Sequence, residues 1–266
     1  MTTRPRMIGY NRTVKLRWLD ETVDLLLGGE SETAMSDTLR QRLGDQLSIG
    51  SQAVRGSREK TITLLLKTWV RVPRRIEGLR DDAIRDLGHV RRSERLPFHW
   101  GMTMAAYPFW RVVADVTGRL LRLQASASAR EVQRRVRELY GERETVSRSA
   151  RYVLRAFADW GVVVETDTKG RYVGPNPMKI DDPSVATWLL EATMFAGETS
   201  SVDFRSLANS PALFPFQLTR ITSDALTASR RLEVVRHGVG DDLVMLRRAT
   251  LDSVHRAGSS NGSGRL

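Results

Sequence analysis

Arg148, Arg151 and Arg155 recur at intervals of three and four residues, and Lys169 and Arg171 follow shortly after. On a helix that interval stacks side chains along one face, so the three arginines predict a single cationic row. Ser147 and Ser149 stand near the start of the same segment and bring hydroxyl donors. Guanidinium groups in a row, flanked by hydroxyls and two further cations, suit contact with phosphate oxygens. The competing reading is that arginines on a helix face are simply solvated and that the unit carrying them docks a protein.

The elements that hold these side chains are legible around them. Ser128-Ala129-Arg130-Glu131 reads as a capping box, in which the serine side chain meets free backbone N–H groups and Glu131 reaches back. Val132, Val136 and Leu139 recur at helical spacing, and Gly141 sits in the following turn. A second helix starts near Thr145 or Ser147, with an apolar stripe of Val146, Ala150, Val153, Leu154, Phe157 and Trp160, and Gly161 caps its end. Val162-Val163-Val164, a turn at Asp167-Thr168-Lys169-Gly170, and Arg171-Tyr172-Val173 read as a hairpin. Helix, turn, helix, hairpin over 128–174 is the order of a winged helix, a helix-turn-helix variant that places its second helix in the major groove. The expected DNA-contacting set is Ser147, Arg148, Ser149, Arg151, Arg155, Lys169 and Arg171.

The charge balance agrees with such a partner. The 266 residues carry a formal net charge of +11, which points to an acidic polymer. From Arg111 to Arg155 eleven Lys or Arg face five Asp or Glu, whereas from Pro175 to Met245 six basic residues face nine acidic ones. The cationic surface therefore belongs to the first two thirds of the chain.

Much chemistry is excluded. Cysteine is absent, so there is no disulfide framework, thiolate zinc site or cysteine nucleophile. His89, His99, His237 and His255 do not pair with acidic residues or each other at metal-ligand spacing in an apolar frame, and His99 beside Trp100 reads as a buried, hydrogen-bonded histidine. Gly238-Val239-Gly240 opens no helix and lacks a third glycine, so it is not a phosphate cradle. The pairs Asp81-Asp82, Asp181-Asp182 and Asp241-Asp242 read as helix starts and turns rather than a nuclease centre. No catalytic residues, metal ligands or cofactors are expected, and the protein is read as a non-enzyme. No apolar run approaches the roughly 18 residues a membrane span requires, and the N-terminus lacks a signal peptide's apolar core, so a cytoplasmic protein without membrane contact is expected.

The remaining chain divides around these elements. Residues 1–12 read as a loose basic arm, and 13–127 as an all-helical bundle with helices over Val14–Leu27, Thr33–Leu47, Arg58–Val72 and Arg75–Leu87. Phe98–Gln124 is apolar around most of its circumference, with a kink or break at Tyr107-Pro108, and Trp100, Tyr107, Phe109 and Trp110 read as core rather than as base-stacking rings. Gly174-Pro175-Asn176-Pro177 marks a domain boundary. Beyond it, helices over Pro183–Ala196, Phe204–Ala208 and Thr219–Ser229 precede a hairpin of Leu232–Arg236 and Leu243–Arg247, predicting a second, winged-helix-like α+β unit over 175–250. Residues 251–266 form a Ser/Gly-rich tail that reads as disordered. The fold class is thus mainly α.

The first 165 residues also resemble the BrxA family, small helical proteins encoded in BREX bacteriophage-defence clusters. The resemblance is carried by Glu59-Lys60-Thr61-Ile62 through Leu66, by Leu96-Pro97-Phe98-His99-Trp100 through Tyr107-Pro108-Phe109, and by Ser147-Arg148-Ser149-Ala150-Arg151-Tyr152-Val153-Leu154 running to Trp160-Gly161-Val162-Val163. It implies a non-enzymatic, DNA-binding helical protein acting in a defence complex; the region after Pro175 has no counterpart in the resemblance. The expectation is a sequence-tolerant binder of double-stranded DNA, with other defence-system proteins as partners and self-association as an option for the C-terminal unit. A winged-helix transcriptional regulator and a protein-binding scaffold subunit are the alternatives.

Overall fold

The computed structural model describes residues 7–44, 56–197, 200–237 and 241–247. The fold is mostly helical, with ten α-helices and three small sheets among these residues. Helix α1 (Leu16–Leu27) buries Trp18, Leu19, Val23 and Leu25, and α2 (Glu32–Arg42) starts where the Ser31 hydroxyl accepts from the Ala34 N–H at 3.3 Å. The predicted end of that second helix, at residues 45–47, lies outside the described residues. Helix α3 (Ser57–Trp69) ends four residues before Pro73, and a single 3-10 turn leads into α4 (Glu77–Leu87). Tyr10, within the segment expected to be a loose arm, is instead buried against Tyr107 and Trp110.

The apolar stretch after residue 95 becomes two helices, α5 (Leu96–Ala106) and α6 (Pro108–Gln124). Pro108 offers no N–H and pushes the preceding residue out of helical geometry, and Tyr107 sits at φ −131°, ψ 87°. Every residue from Pro97 to Ala105 is buried, as expected for a helix that is apolar all round. Trp100 lies at the centre, within ring contact of Trp110, Phe157, Trp160, Phe214 and Phe216. The aromatic residues are core, and stacking on bases is not open to them.

The next unit packs on α6. Strand β1 (Ala127–Ser128), α7 (Ala129–Tyr140), α8 (Glu144–Asp159) and the hairpin strands β2 (Val164–Glu165) and β3 (Arg171–Val173) follow in order. The three strands form an antiparallel sheet in the order β1-β3-β2, pairing Ala127 with Tyr172 and Glu165 with Tyr172 from the other side. The Ser128 hydroxyl caps α7 by accepting from the Glu131 N–H at 3.1 Å. Glu131, expected to close the capping box, turns instead to Gln124 and Arg135, each at 3.1 Å. Gly141 and Gly161, at φ +93° and +70°, end the two helices in the left-handed region that only glycine enters cheaply.

The C-terminal region departs from expectation. It comprises β4 (Met178–Ile180), α9 (Pro183–Gly197), β5 (Ser201–Asp203), α10 (Phe204–Ala208), β6 (Phe216–Leu218), β7 (Leu232–His237) and β8 (Asp241–Leu246). The third helix expected over Thr219–Ser229 does not form, and only Asp224–Ala228 makes a 3-10 turn. The hydroxyls of this stretch bond backbone locally instead: Thr222 accepts from the Ala225 N–H, and Ser229 from the Arg231 and Leu232 N–H groups. Such side-chain competition disfavours helix. The order helix, helix, helix, hairpin is therefore absent here. In its place β4 pairs in parallel with β6, and β5, β8 and β7 form a separate antiparallel sheet. The glycine-rich turn at 238–240 and the 251–266 tail lie outside the described residues.

This region is built onto the bundle. Trp188 of α9 donates to the Leu79 carbonyl at 2.9 Å and lies where a Cβ on Gly101 would overlap its ring. Gly118 of α6 similarly leaves room for the Pro211 carbonyl, and Trp100 donates to the Ala212 carbonyl at 3.1 Å. The buried apolar side chains form one cluster running from Tyr10 to Leu246.

Candidate nucleic-acid interface

Helix α8 is clamped along its inner face. Val146, Ala150, Val153, Leu154 and Phe157 are buried, with the Phe157 ring against Trp100 and Trp110. Its C-terminal end grips the start of the chain: the Asp159 carboxylate accepts from the Leu16 N–H, and Trp160 donates to the Val14 carbonyl, both at 3.0 Å. A helix held on one side by its core and at one end by capping contacts presents its other face rigidly.

That outer face carries Arg148, Arg151 and Arg155, all exposed as expected from the spacing. Their partners differ. Arg148 pairs with Glu144, its Nε 3.3 Å from Oε1, and Arg151 stands 3.8 Å from the same carboxylate. Arg155 has no ion-pair partner among the described residues and lies near Tyr172 of β3. Burial raises the Tyr172 phenol above its ordinary range, Glu165 adds to this, and the Arg155 charge opposes it.

The serines fall differently. Ser147 is half-buried, and its hydroxyl accepts from Arg137 of α7 at 3.2 Å. Ser149 is 5% exposed, so the expectation that it donates to phosphate is corrected. The helix begins at Glu144, earlier than the Thr145 or Ser147 start expected, behind Arg143, whose side chain makes no cap. Ser149 stands three residues after Val146 and four before Val153, so helical period puts it on the inner face.

The hairpin places the remaining two cations beside the start of α7. Its tip is tied down by the Ala129 N–H donating to the Gly170 carbonyl at 2.7 Å, and by the Gly170 N–H donating to Glu165 at 2.6 Å. Lys169 projects from this tip, exposed, and exposed Arg171 spans back to the Ser126 hydroxyl at 3.2 Å. Two residues outside the expected set join the surface. Arg12 lies over the Tyr152 ring of α8 at 5.8 Å, and Glu144 sits among the arginines. The Glu144-to-Arg148 interval is the helical ion-pair spacing, a signal present in the sequence.

No group of three or more histidine or acidic side chains among the described residues is arranged to hold a metal. His99 is fully buried with Nε2 3.0 Å from Asp20, and burial holds its pKa below the ordinary value against the pull of that carboxylate. The acidic pairs serve the fold: Asp182 caps α9 at Ser184 at 2.8 Å, Asp82 binds Arg231, and Asp181 accepts from Thr219. An open groove of about 920 Å³ lies between α6, the Gly174–Met178 connection and Phe214–Leu218, and its rim arginine, Arg122, is already bonded to the Asn209 and Ser210 carbonyls. No helix among the described residues is long and apolar enough to cross a membrane. Comparison with known proteins found no matching family model, curated protein or solved structure.

Proposed function

We infer that this protein binds duplex DNA through the unit formed by α7, α8 and the hairpin, acting as a winged helix without catalytic chemistry. The observation that carries the reading is the outer face of α8. Three exposed arginines line a helix whose opposite face is fully buried, and the hairpin of the same unit holds exposed Lys169 and Arg171 beside the start of α7. A helix presented in this way fits the major groove, and a hairpin beside it reaches adjacent backbone. Guanidinium groups on such a face meet phosphates and base edges, which gives affinity first and selectivity second.

The family resemblance of the first 165 residues supplies the context: an accessory protein of a bacteriophage-defence system, with other proteins of that system as partners. Mobility-shift titration of the full-length protein against unrelated and palindromic duplexes tests the reading. Broad binding supports the accessory role, binding confined to a palindrome points to a transcriptional regulator, and no binding leaves a protein-docking scaffold.

A further inference from the structure

Glu144 is the first residue of α8, and its side chain is 62% exposed. Its one carboxylate engages two of the three arginines of the row, Arg148 and Arg151, and Arg155 has no ion-pair partner among the described residues. In the free protein the N-terminal part of the cationic row is therefore half-compensated from within. The N-terminal turn of a helix favours anions, and here the chain supplies its own anion at that position.

Building on the DNA reading, we propose that Glu144 is a selectivity filter: an anionic competitor that suppresses phosphate-only contact by α8 and so favours duplexes that place a cytosine amino group beneath its first turn. A phosphate approaching Arg148 or Arg151 must displace the Glu144 carboxylate or lie within a Debye length of it, so every duplex meets the same repulsion. Every base pair carries an amino donor in the major groove, but the adenine N6 amino group lies beside the N7 acceptor, which repels a carboxylate, whereas the cytosine N4 amino group is the edge from which a glutamate accepts. Releasing Glu144 to such a donor also frees Arg148 for a guanine edge. One side chain thus weakens indiscriminate binding and rewards a G·C pair beneath the first turn.

Full-length wild-type, E144Q and E144D proteins titrated with a pool of short duplexes of randomised sequence test this, each protein then being used to enrich a preferred duplex from the pool. E144Q is expected to bind the random pool roughly three- to tenfold more tightly, with a salt dependence steeper by about 0.9 log unit per log unit of salt, the increment for one more phosphate. Its ratio of preferred to random affinity is expected to fall. E144D keeps the charge while altering the side-chain geometry, and is expected to behave as wild type, which separates charge from helix structure. Binding of the random pool by E144Q no tighter than by wild type overturns the filter while leaving the DNA reading in place. Failure of all three proteins to bind any duplex overturns the DNA reading and the filter with it.

Discussion

Two regions of this molecule place a hairpin after helices, and they use their charges in opposite ways. In the unit from β1 to β3, α8 has a buried stripe and an exposed cationic row, so its inner face supplies stability and its outer face stays exposed. In the C-terminal region, α9 buries ten residues on all sides, including Glu191, and offers no comparable face. The arginine packed against it, Arg231, is held inside by Asp82 and Glu191. Order of elements alone does not make a binding surface. The decisive difference is whether the helix is amphipathic or apolar all round.

The largest test of this contrast is Trp188→Ala. The indole fills the space above Gly101, and its removal is expected to destabilise the protein by about 3–5 kcal/mol in denaturant unfolding. For the same reason a chain ending at Gly174 is expected to lose cooperative melting, since it uncovers α5 and α6. A truncation that melts as sharply as the full chain would make the C-terminal region an independent appendage.

Arg231→Met comes next. It strands the buried Glu191 carboxylate and is expected to cost about 3 kcal/mol at neutral pH. Burial already holds the Glu191 pKa above the ordinary glutamate range, against the opposing pull of Arg231. Protonation relieves the stranded charge, so the penalty should shrink as pH falls from the raised folded value toward the ordinary glutamate range. A penalty independent of pH would mean that Glu191 is not the group responsible.

His99 behaves with the opposite slope. Burial depresses its folded pKa below 6.5, so the unfolded chain binds the proton first, and stability is lost as pH falls from about 6.5 through the folded value. His99→Gln is expected to flatten that part of the stability-pH curve. The smallest effect is expected from Ser149→Ala: its inward hydroxyl predicts unchanged duplex binding, whereas a fall in affinity would return Ser149 to the outer face.

The outer face of α8 was legible because apolar and basic residues alternate there at helical period, and Gly141 and Gly161 mark the helix ends. What escaped has causes both local and long-range. Without a side-chain cap at Arg143, Thr145 and Ser147 gave a false start, while the inward place of Ser149 follows from its spacing to Val146 and Val153. Strand β1 is two residues long and exists only through its register with β3, a contact more than 40 residues away in sequence. The β4–β6 pair is likewise long-range, and in Thr219–Ser229 helical spacing of apolar residues was outweighed by hydroxyl bonds to the backbone. The Glu144–Arg148 pair is visible in the sequence as helical spacing, but the second contact of the same carboxylate, to Arg151, depends on side-chain conformation.

The central claim, that the outer face of α8 meets DNA phosphates, is tested most directly by the salt dependence of duplex binding for wild type and the Arg148→Ala/Arg151→Ala double variant. With roughly three to six phosphate contacts, the wild-type plot of log affinity against log salt should have a slope of about −3 to −5. Loss of the one contact that Glu144 leaves to this pair should reduce its magnitude by about 1, while melting changes little, as expected for exposed side chains. A wild-type slope near zero, or a double variant that binds duplex normally and melts early, would contradict the account.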